Sequence, residues 1–221
     1  MAVLIDASNS ERASGLYRPE VKAAWELLTQ LIMGPDDTAL VVRVATEAEA
    51  SPLMNRDQLL SYKIDLTPGG GTALYDGVAL ACKRIKADAI QPARRVLIVL
   101  SDGGDNLSHV NHDEAIAKAL EAGAVIFAVS TEDGSVGFAR DGLGNTRLKQ
   151  FAENTGGEAF LHLRGKGVDK AFSTIRNRIE NMYNVSYEPA DPNKKGFHSI
   201  ELKLSRGDKT SVRAAKGYYI N

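Results

Sequence analysis

The chain has 221 residues, 43% of them hydrophobic and 25% charged, and 27 basic against 28 acidic side chains leave a formal net charge of −1. That length and composition suit one sizeable globular domain with a real core. The charge balance excludes a basic field for nucleic acid; the single cysteine excludes an intrachain disulfide framework or a thiolate zinc site; and no apolar run is long enough to span a membrane.

Apolar strand-like runs alternate with amphipathic helical patterns, which predicts an α/β fold with a mostly parallel sheet. The first strand is Ala2 to Asp6. Val21, Ala24, Trp25, Leu28, Leu31 and Ile32 form one helical stripe, which puts Trp25 in the core, and Gly34-Pro35 ends that helix. Thr38 to Ala45 reads as a second strand, Glu47 to Pro52 completes a short hairpin, and a short helix follows around Asp57 to Tyr62. The next helix carries Val78, Ala81, Cys82 and Ile85 on an apolar face, so Cys82 reads as a small core residue.

Arg94 to Ser101 holds the continuous run Val96 to Leu100, the pattern of a strand buried on both faces. Ala115, Ile116, Ala119 and Leu120 mark a helix with Gly123 at the C-cap position, and Val125 to Ser130 is a further strand. Gly134, Gly137, Gly142 and Gly144 punctuate a loop expected to be exposed and mobile. Leu148, Phe151 and Ala152 predict a short helix, Ala159 to Leu163 a strand, and Val168 to Met182 a long helix. From Asn184 the pattern turns to period two. Val185 to Tyr187, Ile200 to Leu204 and Val212 to Ile220 read as strands, with turns at Asp191-Pro192 and Arg206-Gly207-Asp208. The expected organisation is a main domain over residues 1–183 and an antiparallel β extension over 184–221 packed on it.

Three loops carry the chemistry. Asp6-Ala7-Ser8-Asn9-Ser10 ends the first strand, Gly69-Gly70-Gly71-Thr72 precedes a helix, and Ser101-Asp102-Gly103 ends the most apolar strand. In an open doubly wound sheet, ligands sit beyond the carboxyl ends of the strands where the strand order reverses. If the strands ending in Asp6 and Asp102 are neighbours there, both carboxylates reach one crevice. Two carboxylates and the hydroxyls of Ser8, Ser10 and Thr72 are hard oxygen donors, suited to Mg²⁺, Mn²⁺ or Ca²⁺ and poorly to zinc or copper. Taken singly, each piece also fits a turn or a helix cap.

Asp6-x-Ser8-x-Ser10, Thr72 and Ser101-Asp102-Gly103 resemble the metal-ion-dependent adhesion site of von Willebrand factor type A domains, over roughly residues 2 to 182. The stretch through Lys216-Gly217-Tyr218-Tyr219 resembles a bacterial subgroup related to that family. The resemblance implies a Rossmann-like doubly wound sheet of order 3-2-1-4-5-6. It also implies Mg²⁺ held directly by Ser8, Ser10 and Thr72, with Asp6 and Asp102 direct or through water. Asn9 departs from the glycine the family often has there, at a position that is not a ligand.

The implied function is adhesion without catalysis: a monomer that binds a partner protein through an Asp or Glu carboxylate completing the metal's coordination. The terminus shows no signal-peptide pattern, so localisation is not legible in it; export is implied if the chain is part of a longer protein. A scaffolding domain with an idle metal site is one alternative. A haloacid dehalogenase-type magnesium phosphatase is another, with Asp6 as nucleophile, but its general acid would fall on Ser8, which cannot protonate a leaving group. The glycine loop lacks the Gly-Lys of a P-loop, and there is no serine-hydrolase elbow. His109, His112 and Asp113 read as the solvated start of a helix in preference to a second metal site, Asp105 as shaping the turn or orienting the Asp102 loop, and Tyr75 as either rim or buried.

Overall fold

Strands that are apolar on both sides must be covered on both sides, and the helical stripes between them supply the cover. A computed structural model describes residues 1–9, 17–64, 67, 69–87, 93–131, 142–163, 166–185, 187–189, 193–205 and 212–220. Its elements, in chain order, are β1 (Ala2–Asp6), α1 (Tyr17–Leu31), β2 (Leu40–Val44), β3 (Ala48–Ala50), α2 (Arg56–Ser61), α3 (Leu74–Ala87) and β4 (Arg95–Ser101). They continue with α4 (His112–Ala122), β5 (Ala124–Ser130), α5 (Leu143–Thr155), β6 (Ala159–Phe160), α6 (Gly167–Glu180), β7 (Gly196–Ser199) and β8 (Gly217–Ile220).

Six strands form one sheet of order β3-β2-β1-β4-β5-β6, parallel except for β3, which closes the hairpin with β2. This is the Rossmann-like doubly wound order expected from the sequence, and β1 lies directly beside β4 with Ile5 opposite Leu100. Period-two alternation divides the core into two layers. Leu4, Leu97 and Val99 face α3, α4 and α5, where Val78, Ala119 and Phe151 meet them. Val3, Ile5, Ile98 and Leu100 face the layer of α1, α2 and α6, against Ala24, Leu28, Leu59 and Ile175.

Local signals account for the helix ends. Asn55 and Asn111 begin α2 and α4 with capping boxes, closed by Gln58 and Glu114. Gly123 ends α4 in the left-handed region at φ 62°, its N–H donating to Ala119 O and Leu120 O. Cys82 is buried, and burial pushes its thiol up to about 12, as befits a packing residue. Trp25 differs from expectation: it is half-buried, stacked on Tyr62 at 6.4 Å between ring centroids, because it sits at the border of the α1 stripe.

The C-terminal region departs further from the predicted strands. Val185 and Tyr187 lie outside any strand and are exposed, and Ile200 to Leu204 carries no regular structure. The pairing falls instead on β7 and β8, antiparallel with Phe197 opposite Tyr219 and His198 opposite Tyr218. Ring contacts select this register: Phe197 to Tyr219 is 5.3 Å, and His198 stacks on Tyr218 at 5.2 Å. Leu202 and Leu204 alternate correctly, but they stay half exposed. Ser186 and the predicted turns at Asp191-Pro192 and Arg206-Gly207-Asp208 lie outside the described residues.

The extension is tied to the main sheet by specific bonds. Lys216 N donates to Asn154 O at 2.9 Å, and Arg213 donates to Gly157 O at 3.2 Å. Glu158 bridges Arg178 of α6 at 3.3 Å and Arg213 at 3.4 Å. Chain after Asn184 therefore contributes to the stability of the whole. Truncation there is expected to lower the melting temperature by several degrees, on the order of 2–4 °C per kcal/mol lost for a domain this size, read by thermal unfolding of both forms.

Glu20, in the first turn of α1, is fully buried, and neither carboxyl oxygen has a hydrogen-bond partner. Burial pushes its carboxyl from the ordinary 4.5 up to about 8. Between those two values the folded chain holds a proton that the unfolded chain has released, so stability falls as pH rises across that window. Glu20→Met should remove this slope and stabilise the protein at pH 9 by on the order of a few kcal/mol, measured by urea unfolding at pH 5 and 9.

Candidate metal centre

Asp6 is the last residue of β1 and is completely buried. A carboxylate there must be satisfied locally. Ser8 N–H donates to its Oδ1 at 3.0 Å, and the Ser101 hydroxyl, at the end of the neighbouring β4, donates to its Oδ2 at 2.6 Å. Burial still pushes the Asp6 carboxyl up to about 6; the donors from Ser101 and Ser8 oppose that rise, and the nearby charge of Asp102 adds to it. Two carboxylates thus sense one another at the top of β1 and β4.

Thr72 reaches the same place through backbone bonds that join the loops. Asn9 N–H donates to Gly70 O at 3.3 Å and Gly69 N–H to Ala7 O at 3.0 Å, joining the β1 loop to the glycine loop. Gly70 adopts φ 59°, and a Cβ there would fall 2.3 Å from the Thr46 hydroxyl, so glycine is required. Arg43 of β2 donates to Thr67 O beneath this loop. On the other side, Asn106 N–H and Leu107 N–H both donate to Thr72 O, at 3.0 and 3.1 Å, while Thr72 N–H donates to Asn106 Oδ1 at 2.8 Å.

The Asp102 loop turns tightly. Gly104 N–H donates to Asp102 Oδ1 at 2.8 Å, and Gly103 N–H to the Ser101 hydroxyl oxygen at 3.0 Å. The structure therefore brings Asp6, Ser8, Thr72 and Asp102 to the carboxyl ends of adjacent strands, on loops bonded to one another. Ser10 lies outside the described residues, as do Gly134 and Gly137 of the expected glycine-rich loop; Gly142 and Gly144 fall at the start of α5.

Bonds around the start of α3 also shape the site. Asp105 is more than a turn former: its Oδ2 accepts from Tyr75 N–H at 3.0 Å and from the Ser108 hydroxyl at 2.5 Å, capping α3. Asp76 in the first turn of α3 accepts from His109 N–H and Val110 N–H, each at 3.0 Å, and pairs with the His109 ring at 2.8 Å. Burial alone would raise the Asp76 carboxyl, but these donors outweigh it and hold it below the usual range. Spacing from Thr72 offered no signal for either latch, because the bonds span 30 residues or more. Tyr75 is buried, edge-on to His112 at 5.5 Å and to Phe151 at 6.0 Å, and its hydroxyl has no hydrogen-bond partner.

The donor set fits a hard divalent cation. Among the described residues, no three His, Cys, Asp or Glu side chains gather as metal ligands, so binding would depend on hydroxyl oxygens beside the two carboxylates. A dication beside Asp6 would offset both the desolvation and the repulsion from Asp102 that raise its carboxyl. No helix among the described residues is long and apolar enough to cross a membrane.

No protein-family model matches the sequence, and no curated protein matches it either. Solved structures do share its architecture. A von Willebrand factor type A protein from Catenulispora acidiphila is similar with a TM-score of 0.59 at 19% identity, over 79% of this chain and 41% of that one. An aerotolerance-related membrane protein from Bacteroides fragilis, solved with multiple mutations to serine, is similar at 0.56 and 19%, over 82% and 98%. The pilus adhesin SpaC of Lactobacillus rhamnosus GG, in an open conformation, is similar at 0.56 and 13%, over 80% and 29%. The fold is that of the von Willebrand factor type A domain.

Gly103 sits at φ 80°, and a Cβ there would lie 2.2 Å from Gly144 O at the start of α5, a contact between backbones that no rotamer relieves. Gly103→Ala is expected to destabilise the protein by about 3 kcal/mol or more, read as a fall in denaturation midpoint.

Proposed function

We propose that this domain is a metal-dependent protein-binding module without catalytic activity. The ion is Mg²⁺, with Mn²⁺ or Ca²⁺ as substitutes, held by Ser8, Ser10 and Thr72, with Asp6 and Asp102 contacting it directly or through water. The observation that carries this reading is the fully buried Asp6 carboxylate, held by the Ser101 hydroxyl at the end of the neighbouring strand, with the Thr72 and Asp102 loops bonded around it. When bound, the ion supplies an electrophilic position for an incoming oxygen ligand.

The protein's own residues set what that position accepts. Two carboxylates nearly neutralise a dication, and hydroxyl ligands add no charge, so a partner's Asp or Glu meets little repulsion. The backbone latches between the Thr72 and Asp102 loops hold the donors in place beforehand, which limits the ordering cost of binding. No nucleophile, general base and general acid converge among these residues, which supports recognition over turnover. Its likeness in fold to a pilus adhesin and to a membrane protein supports an exported module presented to protein partners, which we take to act as a monomer.

Calorimetric titration with Mn²⁺ tests the site. Saturable one-site binding is expected in the wild type and its loss in Asp6→Ala, while Thr72→Ala, which removes an oxygen but no charge, should weaken it. Binding that survives unchanged in Asp6→Ala would defeat the assignment.

A further inference from the structure

Large apolar side chains are nearly all internal in the main domain, and the exceptions are not scattered evenly. Among the described residues before Asn181 the exposed ones are Met33, Leu60, Leu107 and Leu143. Met33 follows the C-terminus of α1, at the far end of the sheet from the carboxyl ends, and Leu60 lies on α2, which begins beside that same far end at Met54. The other two stand beside Asp102.

Leu107 is 43% exposed. Its N–H is fixed on Thr72 O, and its Cδ1 lies only 2.7 Å from where a Cβ on Gly71 would be, so the side chain covers the residue next to Thr72. Leu143 is 52% exposed and directly precedes Gly144, whose own Cβ position lies 2.3 Å from Asp102 O. One leucine therefore flanks the Asp102 loop on the Thr72 side and the other flanks it on the α5 side. Gly71 has no side chain to hold Leu107 away, and the leucine packs directly on the glycine loop.

Resting on the metal-dependent reading above, we infer that Leu107 and Leu143 are the specificity-determining rim of this site, and that its ligand is a peptide segment whose Asp or Glu is flanked by a bulky apolar residue. A carboxylate on a metal ion is a strong contact but an indiscriminate one, since every protein surface presents Asp and Glu. Apolar contacts at its edge discriminate among those segments and also keep water from the ion–carboxylate bond, as the ring of neutral contacts does around a binding hot spot. Single exposed leucines carry no such meaning. Two that bracket one candidate ligand-bearing loop, in a domain that hides its other leucines there, do.

The test is a displayed heptapeptide library with a fixed central Asp or Glu, selected on the full chain in Mg²⁺ and in chelator. Peptides retained only in Mg²⁺ should be enriched several-fold in Leu, Ile, Val, Met or Phe within two positions of the acid. Against the double variant Leu107→Ser, Leu143→Ser, that enrichment should vanish and a selected peptide should bind about tenfold more weakly or worse, with Mn²⁺ affinity by calorimetry unchanged. Metal-dependent retention with no neighbour preference, or a preference that survives in the double variant, would overturn the rim and leave the metal-dependent reading standing. Retention indifferent to chelator would overturn both.

Discussion

A carboxylate with no exposure at the end of a parallel strand is the constraint around which the top of this molecule is built. Water cannot solvate Asp6, so its oxygens are satisfied by Ser8 on its own loop and by Ser101 on the adjacent strand. The Ser101 bond crosses 95 residues of sequence and pins β1 to β4 at the point where the strand order reverses. These bonds lower the cost of the buried charge without removing it, because burial still raises the Asp6 carboxyl and the nearby Asp102 adds a little to that rise. An excess of negative charge held in a fixed frame of oxygen atoms is what a hard cation requires.

The frame is fixed because its three loops are bonded to one another more than to the strands that carry them. Thr72 exchanges bonds with Asn106 in both directions, and the next turn of chain is caught twice more, by Asp105 on Tyr75 N–H and by Asp76 on the backbone of His109 and Val110. The start of α3 and the Asp102 loop therefore behave as one body. The start of α5 joins them through Gly103 and Gly144, where the two backbones approach too closely for any side chain. The loops and the starts of α3 and α5 are thus joined by close backbone contacts.

The C-terminal region follows different physics. A two-stranded ribbon is marginal by itself, and β7 and β8 are held by rings stacked across the pair and by their attachment to the edge of the main domain. Glu158 is the electrostatic hinge of that attachment, since it answers Arg178 from α6 and Arg213 from the extension with its two oxygens. A shallow groove of about 440 Å³ lies between the start of α4 and Tyr219 of β8, away from Asp6 and Thr72.

Periodicity sufficed for the elements of the main domain and its α/β class, while the order of its strands came from the family resemblance alone. A strand buried on both faces must be continuously apolar, as Val96 to Leu100 is, and a helix against a sheet must repeat its apolar residues near every fourth position, as α6 does. Local chemistry likewise revealed Gly123 as a cap and singled out Asp6, Ser8, Thr72 and Asp102 as oxygen-bearing candidates on loops, because a residue's type and its place beside an element are sequence properties. The partners of those donors were not legible: Ser101 on Asp6, Asn106 on Thr72, and Asp105 and Asp76 around α3 act through contacts between segments far apart in the chain. The same holds for the pairing of β7 with β8: Ile200 to Leu204 alternated as well as any strand, yet Leu202 and Leu204 stay half exposed outside it. Residue type and spacing determine which groups are available and which element they ride on. Only the folded chain decides which of them meet, because meeting depends on the order of strands in the sheet and on the surface each side chain finds opposite it.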